Sequence, residues 1–217
     1  MPLPVIYLHG FGSSPLSYKA RILSEHLRQS GRRVAVPDLN LGDFSSLTIS
    51  KMVTEVKTVA RNLDEPFVII GSSLGGYTAA LYAEKGDSNL KGLFLMAPAF
   101  NFAGNWAKKL GGQALSDWRK TGEIAVFHYA YNKEVRLRYA FYEDSEKLAP
   151  FPAVGNIPCA IVHGERDDVV PIELSEKFCK LNPAAKLYRL HDLHELGESV
   201  DKIATLIDGF LAEIERG

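Results

Sequence analysis

Cysteine is scarce: Cys159 and Cys179 are the only two in 217 residues. They fit neither the C-x-x-C spacing of redox and zinc motifs nor the dense framework of a disulfide-stapled domain. Cys159 falls in a predicted buried strand and Cys179 in a predicted helix, so free, packed thiols are expected. An excess of one charge is also missing. The chain carries 25 Lys and Arg against 26 Asp and Glu, a net charge of −1, and the basic pairs Arg32-Arg33 and Lys108-Lys109 are short and expected to be solvated. Nucleic acid and anionic membranes both require concentrated positive surface, so neither is expected as the main partner. No apolar run approaches the length of a membrane span and Met1-Pro2-Leu3-Pro4 has no basic n-region, so no membrane insertion is expected and a cytoplasmic home is the default. The glycines fit neither G-x-G-x-x-G nor G-x-x-x-x-G-K-[ST], and His191 and His194 have no third partner at metal-ligand spacing. No cofactor and no metal are therefore implied.

What is present is the make-up of an ordinary globular chain, with 46% hydrophobic and 24% charged residues. One domain over residues 1–217 is expected, large enough to bury a core without staples. Oligomeric state is open at this level.

The apolar pattern alternates short runs with amphipathic stretches. Val5–Leu8, Val34–Val36, Phe67–Ile70, Gly92–Met96, Cys159–Val162 and Lys186–Leu190 read as strands, most of them continuous apolar runs suited to burial on both faces. Helices are predicted over Ser17–Ser30, from Ile49 with Met52, Val53, Val56, Val59, Ala60 and Leu63 on one face, over Gly76–Ala83, from Pro171 to Leu181, and through the closing run Val200 to Ile214. The fold class is thus α/β, a mostly parallel sheet of about six strands with helices on both faces. Residues 100–150 break the alternation and hold ten of the 22 aromatics, from Phe100 to Tyr142. A hairpin of 123–129 with 134–139 across Tyr131-Asn132-Lys133 and a helix toward Leu148 are expected there. An insertion at this point overhangs the carboxyl ends of the strands, where open α/β sheets bind ligands, and is expected to form a small lid lining an apolar pocket, although a satellite core or a subunit contact would use the same residues.

Chemistry concentrates at three places. Gly71-Ser72-Ser73-Leu74-Gly75 sits between a buried strand and a helix, so Ser73 occupies a sharp, strained turn, and the N–H of Leu74 opens the helix. A serine hydroxyl is a weak nucleophile that needs a base, and the base needs an acid to orient it. Acid candidates follow one strand in Glu165-Arg166-Asp167-Asp168, and base candidates follow another in His191-Asp192-Leu193-His194. Spacing alone does not separate Asp167 from Asp168.

These motifs, with His9-Gly10-Phe11-Gly12-Ser13-Ser14-Pro15 and His163-Gly164-x-x-Asp167-x-x-Val170-Pro171, resemble the α/β-hydrolase superfamily. The N-terminal half is similar to small bacterial esterases of the YqiA type, and the C-terminal half also resembles the mycophenolic-acid acyl-glucuronide esterase group. The resemblance implies Ser73 as nucleophile, Asp167 as acid and His194 as base. It also implies an oxyanion hole from the N–H groups of Phe11 and Leu74, with His9 bracing the loop. A serine esterase of the carboxylesterase type acting on small-molecule esters or thioesters through an acyl-enzyme is the expectation. Its alternatives are an acyl-protein thioesterase or depalmitoylase and a non-catalytic binding protein on the same fold.

Overall fold

In the computed structural model, which describes residues 2–216, the described residues form eight strands and seven α-helices, among them the six predicted strands and the predicted hairpin. Strands β1 (Val5–Leu8), β2 (Val34–Ala35), β3 (Phe67–Ser72), β4 (Leu90–Met96), β7 (Cys159–Gly164) and β8 (Ala185–Leu190) form one sheet in the order β2-β1-β3-β4-β7-β8, every pair parallel. The central strands β1, β3 and β7 are buried at every residue, whereas β8 at the edge alternates and exposes Lys186 and Tyr188. That is the expected contrast between strands covered on two faces and one that meets solvent.

Side chains alternate across the sheet and feed two cores. Ile6, Leu8 and Ile69 join the core shared with α2 (Ile49–Leu63), α3 (Leu74–Ala83) and α6 (Ile172–Leu181). Val5, Tyr7, Val68 and Ile70 join the core under α1 (Tyr18–Gln29) and α7 (Val200–Arg216). Helix α2 begins where Thr48 accepts a hydrogen bond from Lys51 N at 3.2 Å and ends at Asp64, which turns left-handed at φ 50°. Helix α3 has no polar face, because all ten of its residues are buried.

Between β4 and β7 lie α4 (Phe102–Thr121), the hairpin β5 (Glu123–His128) and β6 (Lys133–Arg138), and α5 (Ala140–Glu146). The hairpin pairs antiparallel from Glu123↔Arg138 to His128↔Lys133, its strands within one residue of the predicted bounds. Helix α4 has no counterpart in the sequence-based expectation. Gly104, Gly111 and Gly112 interrupt its pattern, and the chain does kink at Gly111, where φ is 77° and ψ 160°. The aromatics of the segment between β4 and β7 do not form a separate core. Trp118, Phe141 and Tyr142 are continuous with the cluster under α2 and α3, and Trp118 Nε1 donates to Leu137 O at 3.0 Å, pinning α4 to β6. Cys159 is buried and Cys179 half-buried, and both are free thiols. No helix among the described residues is long and apolar enough to cross a membrane.

Candidate active site

The turn from β3 to α3 places Ser73 at φ 52° and ψ −117°, a conformation that a residue with a side chain adopts at a cost of about 1–3 kcal/mol. Three backbone hydrogen bonds hold it there: Ser73 N donates to Met96 O at 2.8 Å, and Ser73 O accepts from Ala99 N at 3.0 Å and Tyr77 N at 3.1 Å. Close approach of α3 to β1 is possible only because position 75 lacks a side chain. A Cβ on Gly75 would lie 2.4 Å from Leu8 O and 2.5 Å from His9 O.

Two loops at the carboxyl ends of β7 and β8 come together beside this turn. His194 Nε2 stands 3.0 Å from Ser73 Oγ, and His194 Nδ1 stands 2.7 Å from Asp167 Oδ2. A carboxylate can only accept, so Nδ1 carries the proton and Nε2 is left to accept from the serine hydroxyl. Asp167 is held from several sides. Its Oδ1 accepts from Val169 N at 2.9 Å and Val170 N at 2.8 Å. His163 Nε2 lies 3.1 Å from its Oδ2. Burial alone would push the Asp167 carboxyl up, but hydrogen bonds from His163, His194 and the Val170 amide together hold it well below the usual carboxylate range.

The structure separates residues that spacing left equivalent. Asp168 is exposed, and its backbone carbonyl accepts from Lys109 Nζ at 3.3 Å. The His191 side chain is 78% exposed and faces Glu165 at 3.7 Å, away from Ser73. His9 is buried: its Nδ1–H donates to Gly10 O at 2.9 Å and its Nε2 accepts from Leu39 N at 2.9 Å. Burial holds its pKa below the ordinary histidine value, with the Gly10 and Asp38 interactions opposing. The ring thus ties two loops and has no free nitrogen for chemistry.

A cavity of about 460 Å³ opens over Ser73 and His194. Phe11, Leu74, Phe102, Trp106 and Val170 give it apolar walls, Phe102 and Trp106 coming from α4. Among the described residues the amides of Phe11 and Leu74 have no hydrogen-bond acceptor, and both residues line the cavity. A larger groove of about 1260 Å³, lined by Pro66, Lys91, Tyr188 and Phe210, involves none of the predicted site residues.

Sequence reasoning passed over three residues here. His163 served as a landmark for the acid, yet it is fully buried, its Nδ1 pairs with Ser175 Oγ at 2.8 Å, and its Nε2 must carry a proton because Val170 O, 2.9 Å away, can only accept. Gly164 lets the His194 loop cross β7, since a Cβ there would sit 2.5 Å from Asp192 O. The His-Gly pair before the acid was the available signal for both. Lys19 lines the cavity, and burial pushes its pKa down to about 8 against the opposing pull of Glu195, Asp192 and Asp167. No motif pointed to it.

Comparison with known sequences places the chain. The profile of an uncharacterised protein family, UPF0227, matches residues 4–211. The chain belongs to this family. Beyond UPF0227, Lipase 1 of Psychrobacter immobilis is 22% identical over 250 residues, spanning 98% of this chain and 78% of that protein. Alpha/beta hydrolase domain-containing protein 10 from mouse superposes with a TM-score of 0.82 at 19% identity, covering 97% of this chain and 90% of that one. Est1E from Butyrivibrio proteoclasticus superposes with a TM-score of 0.75 at 19% identity, covering 100% and 90%. These structural likenesses show that this UPF0227 member has the α/β-hydrolase fold.

Proposed function

We propose that this protein is a serine hydrolase that cleaves carboxylic esters or thioesters through an acyl-enzyme. The observation that carries the reading is the unbroken chain from Ser73 Oγ through His194 to Asp167, at 3.0 and 2.7 Å, opening into an apolar cavity. The names Lipase 1 and Lipase 3 of the curated relatives support ester chemistry, and the structural neighbour Est1E is also seen with ferulic acid bound.

Ser73 Oγ attacks the acyl carbonyl while its proton passes to His194 Nε2. Asp167, ionised and hydrogen-bonded to Nδ1–H, orients the ring and stabilises the imidazolium that forms. The N–H groups of Phe11 and Leu74 receive the oxyanion, one such donor being worth about 2.7–4 kcal/mol of transition-state stabilisation. His194 then returns the proton to the departing alcohol or thiol. Water, deprotonated by His194, attacks the acyl-enzyme and releases the acid and Ser73. Phe102 and Trp106 give the acyl chain an apolar wall.

The test is fluorophosphonate labelling with a panel of p-nitrophenyl esters and acyl thioesters of increasing chain length. Labelling at Ser73, hydrolysis by the parent, and a fall of roughly 10⁴-fold or more in kcat for Ser73→Ala are expected. A folded parent that neither labels nor turns over any member of the panel would return the chain to the non-catalytic alternative.

A further inference from the structure

An oxyanion hole works only if its donors are held within a few tenths of an ångström of where the charge develops. Leu74 is fixed by α3, but Phe11 sits on a loop after β1 whose own backbone ties are local: Ser13 N to Gly10 O at 3.3 Å and Ser17 N to Ser14 O at 3.1 Å. Beyond the His9 ring, which bonds Gly10 O and Leu39 N, residues 10–13 are restrained by hydrogen bonds from two distant segments. Asn40, in the loop after β2, donates from Nδ2 to Ser13 O at 2.9 Å and to Asp38 Oδ1 at 2.8 Å. Asn40 Oδ1 accepts from His128 Nε2–H at 3.3 Å, at the end of β5. The hairpin turn itself then bonds the loop, Ala130 N donating to Gly12 O at 3.1 Å, and it lies so close that a Cβ on Gly12 would be 3.2 Å from Phe127 O.

We propose that Asn40 and His128 are positioning residues for the reaction: together they clamp the Phe11 loop from both sides and make the β5–β6 hairpin a structural part of the oxyanion hole. The proposal rests on the serine-hydrolase reading above.

Burial argues that the polar pair serves geometry. Asn40 is 2% exposed and His128 0% exposed, in surroundings where the Phe44 ring stands nearly perpendicular to the His128 ring at 4.7 Å between centroids and Tyr131 stacks on it at 3.7 Å. Such a pocket takes an apolar residue readily, and burying a carboxamide and an imidazole is tolerated only because their bonds are made. His128 Nδ1 accepts from Tyr131 N at 3.2 Å, which leaves Nε2–H for Asn40. Burial lowers the His128 pKa, with Asp38 opposing, so the ring keeps this one-donor, one-acceptor form. What hydrogen bonds add over apolar contact is direction, and the direction here fixes the height of the Ser13 carbonyl and so of the loop that carries Phe11. The Phe11 ring is keyed to the same segment, 5.4 Å from Trp106 and 5.5 Å from Phe141.

Two readouts test this on the full chain: steady-state kinetics with p-nitrophenyl butyrate, and backbone amide exchange of Ser13 and Ala130, the hydrogen-bonded amides of the loop and of the hairpin turn that meets it. Asn40→Ala and His128→Ala are expected to lower kcat about 10–100-fold with KM within threefold of the parent, and to speed exchange of both amides at least tenfold. The double variant should be no worse than threefold below Asn40→Ala, because both residues act through one chain of bonds. His128→Gln, whose amide can still donate to Asn40, should recover most of the loss. A folded Asn40→Ala with kcat within twofold of the parent, or with parent-like loop exchange, overturns the proposal, as does a loss confined to KM. If Asn40→Ala does not fold, Asn40→Ser is read by the same two criteria. If the parent hydrolyses no ester, the serine-hydrolase reading fails, while loop exchange still decides whether the clamp exists.

Discussion

The serine turn and the segment between β4 and β7 hold their shapes by different means. At β3–Ser73–α3 the constraint is backbone against backbone: three hydrogen bonds fix Ser73, and carbonyl oxygens fill the space a Gly75 side chain would need. In α4, the hairpin and α5 the constraint is side-chain packing, with Trp106, Trp118, Phe141 and Tyr142 interlocked at centroid distances of 5.6 to 6.0 Å. Backbone fit is all-or-none, because a peptide has few ways to move. Aromatic packing is graded, because neighbouring rings can shift and fill part of a void. Ser73 sits on the unforgiving region, and Phe102 and Trp106, which line the cavity over it, sit on the forgiving one.

Substitutions at matched positions break or sharpen this contrast. Gly75→Ala should have the largest effect: a Cβ 2.4 Å from Leu8 O cannot be absorbed without moving α3, so a loss of about 4 kcal/mol or more, seen as insoluble protein or a collapsed denaturation midpoint, is expected. Trp118→Ala removes a buried indole and its bond to Leu137 O and should lower stability by about 3–5 kcal/mol in urea unfolding, yet leave a two-state transition. If Trp118→Ala proves milder than 1 kcal/mol, the segment between β4 and β7 does not share the main core.

Asp167→Asn probes the meeting point of the two regions through pH. The Asp167 carboxyl is held below its ordinary value, so its contribution to stability is fully present above the unfolded value of about 3.9 and is lost as pH falls through the lower folded value. The difference in Tm between parent and Asp167→Asn should therefore stay constant from pH 7 to about 5 and narrow only below about 4. Narrowing near pH 6 would mean that the carboxyl is not held low. The smallest effect belongs to Gly111→Ala at the kink of α4, where a Cβ meets nothing within 4 Å and only the backbone, at φ 77° and ψ 160°, is penalised, so a change of about 1–3 kcal/mol is expected in the same urea assay.

Legibility in the sequence followed the range of the interactions. The six parallel strands and the flanking helices could be read because burial on two faces writes continuous apolar runs and burial on one writes a helical stripe. The hairpin could be read from its alternation. Helix α4 was missed because its glycines dilute the pattern and its aromatics serve a core that forms only when α5 and β6 are in place. At the site, the order of serine, acid and base was visible, and the family resemblance selected Asp167 and His194. Neither local spacing nor composition contains the reason that Asp168 and His191 face solvent.

By itself the sequence determined an α/β sheet, a serine at a strained strand-to-helix turn, and an acid and a base beyond two later strands, all properties of residues near one another in the chain. Only the tertiary structure decided that His194 reaches Ser73 and Asp167 together, that His163 buttresses the acid, and that Asn40 and His128 join the hairpin to the Phe11 loop. Asn40 and His128 are 88 residues apart, and His194 and Ser73 are 121 apart. At such separations no periodicity survives, and the contact exists because the sheet brings the carboxyl ends of β1, β3, β7 and β8 to one edge.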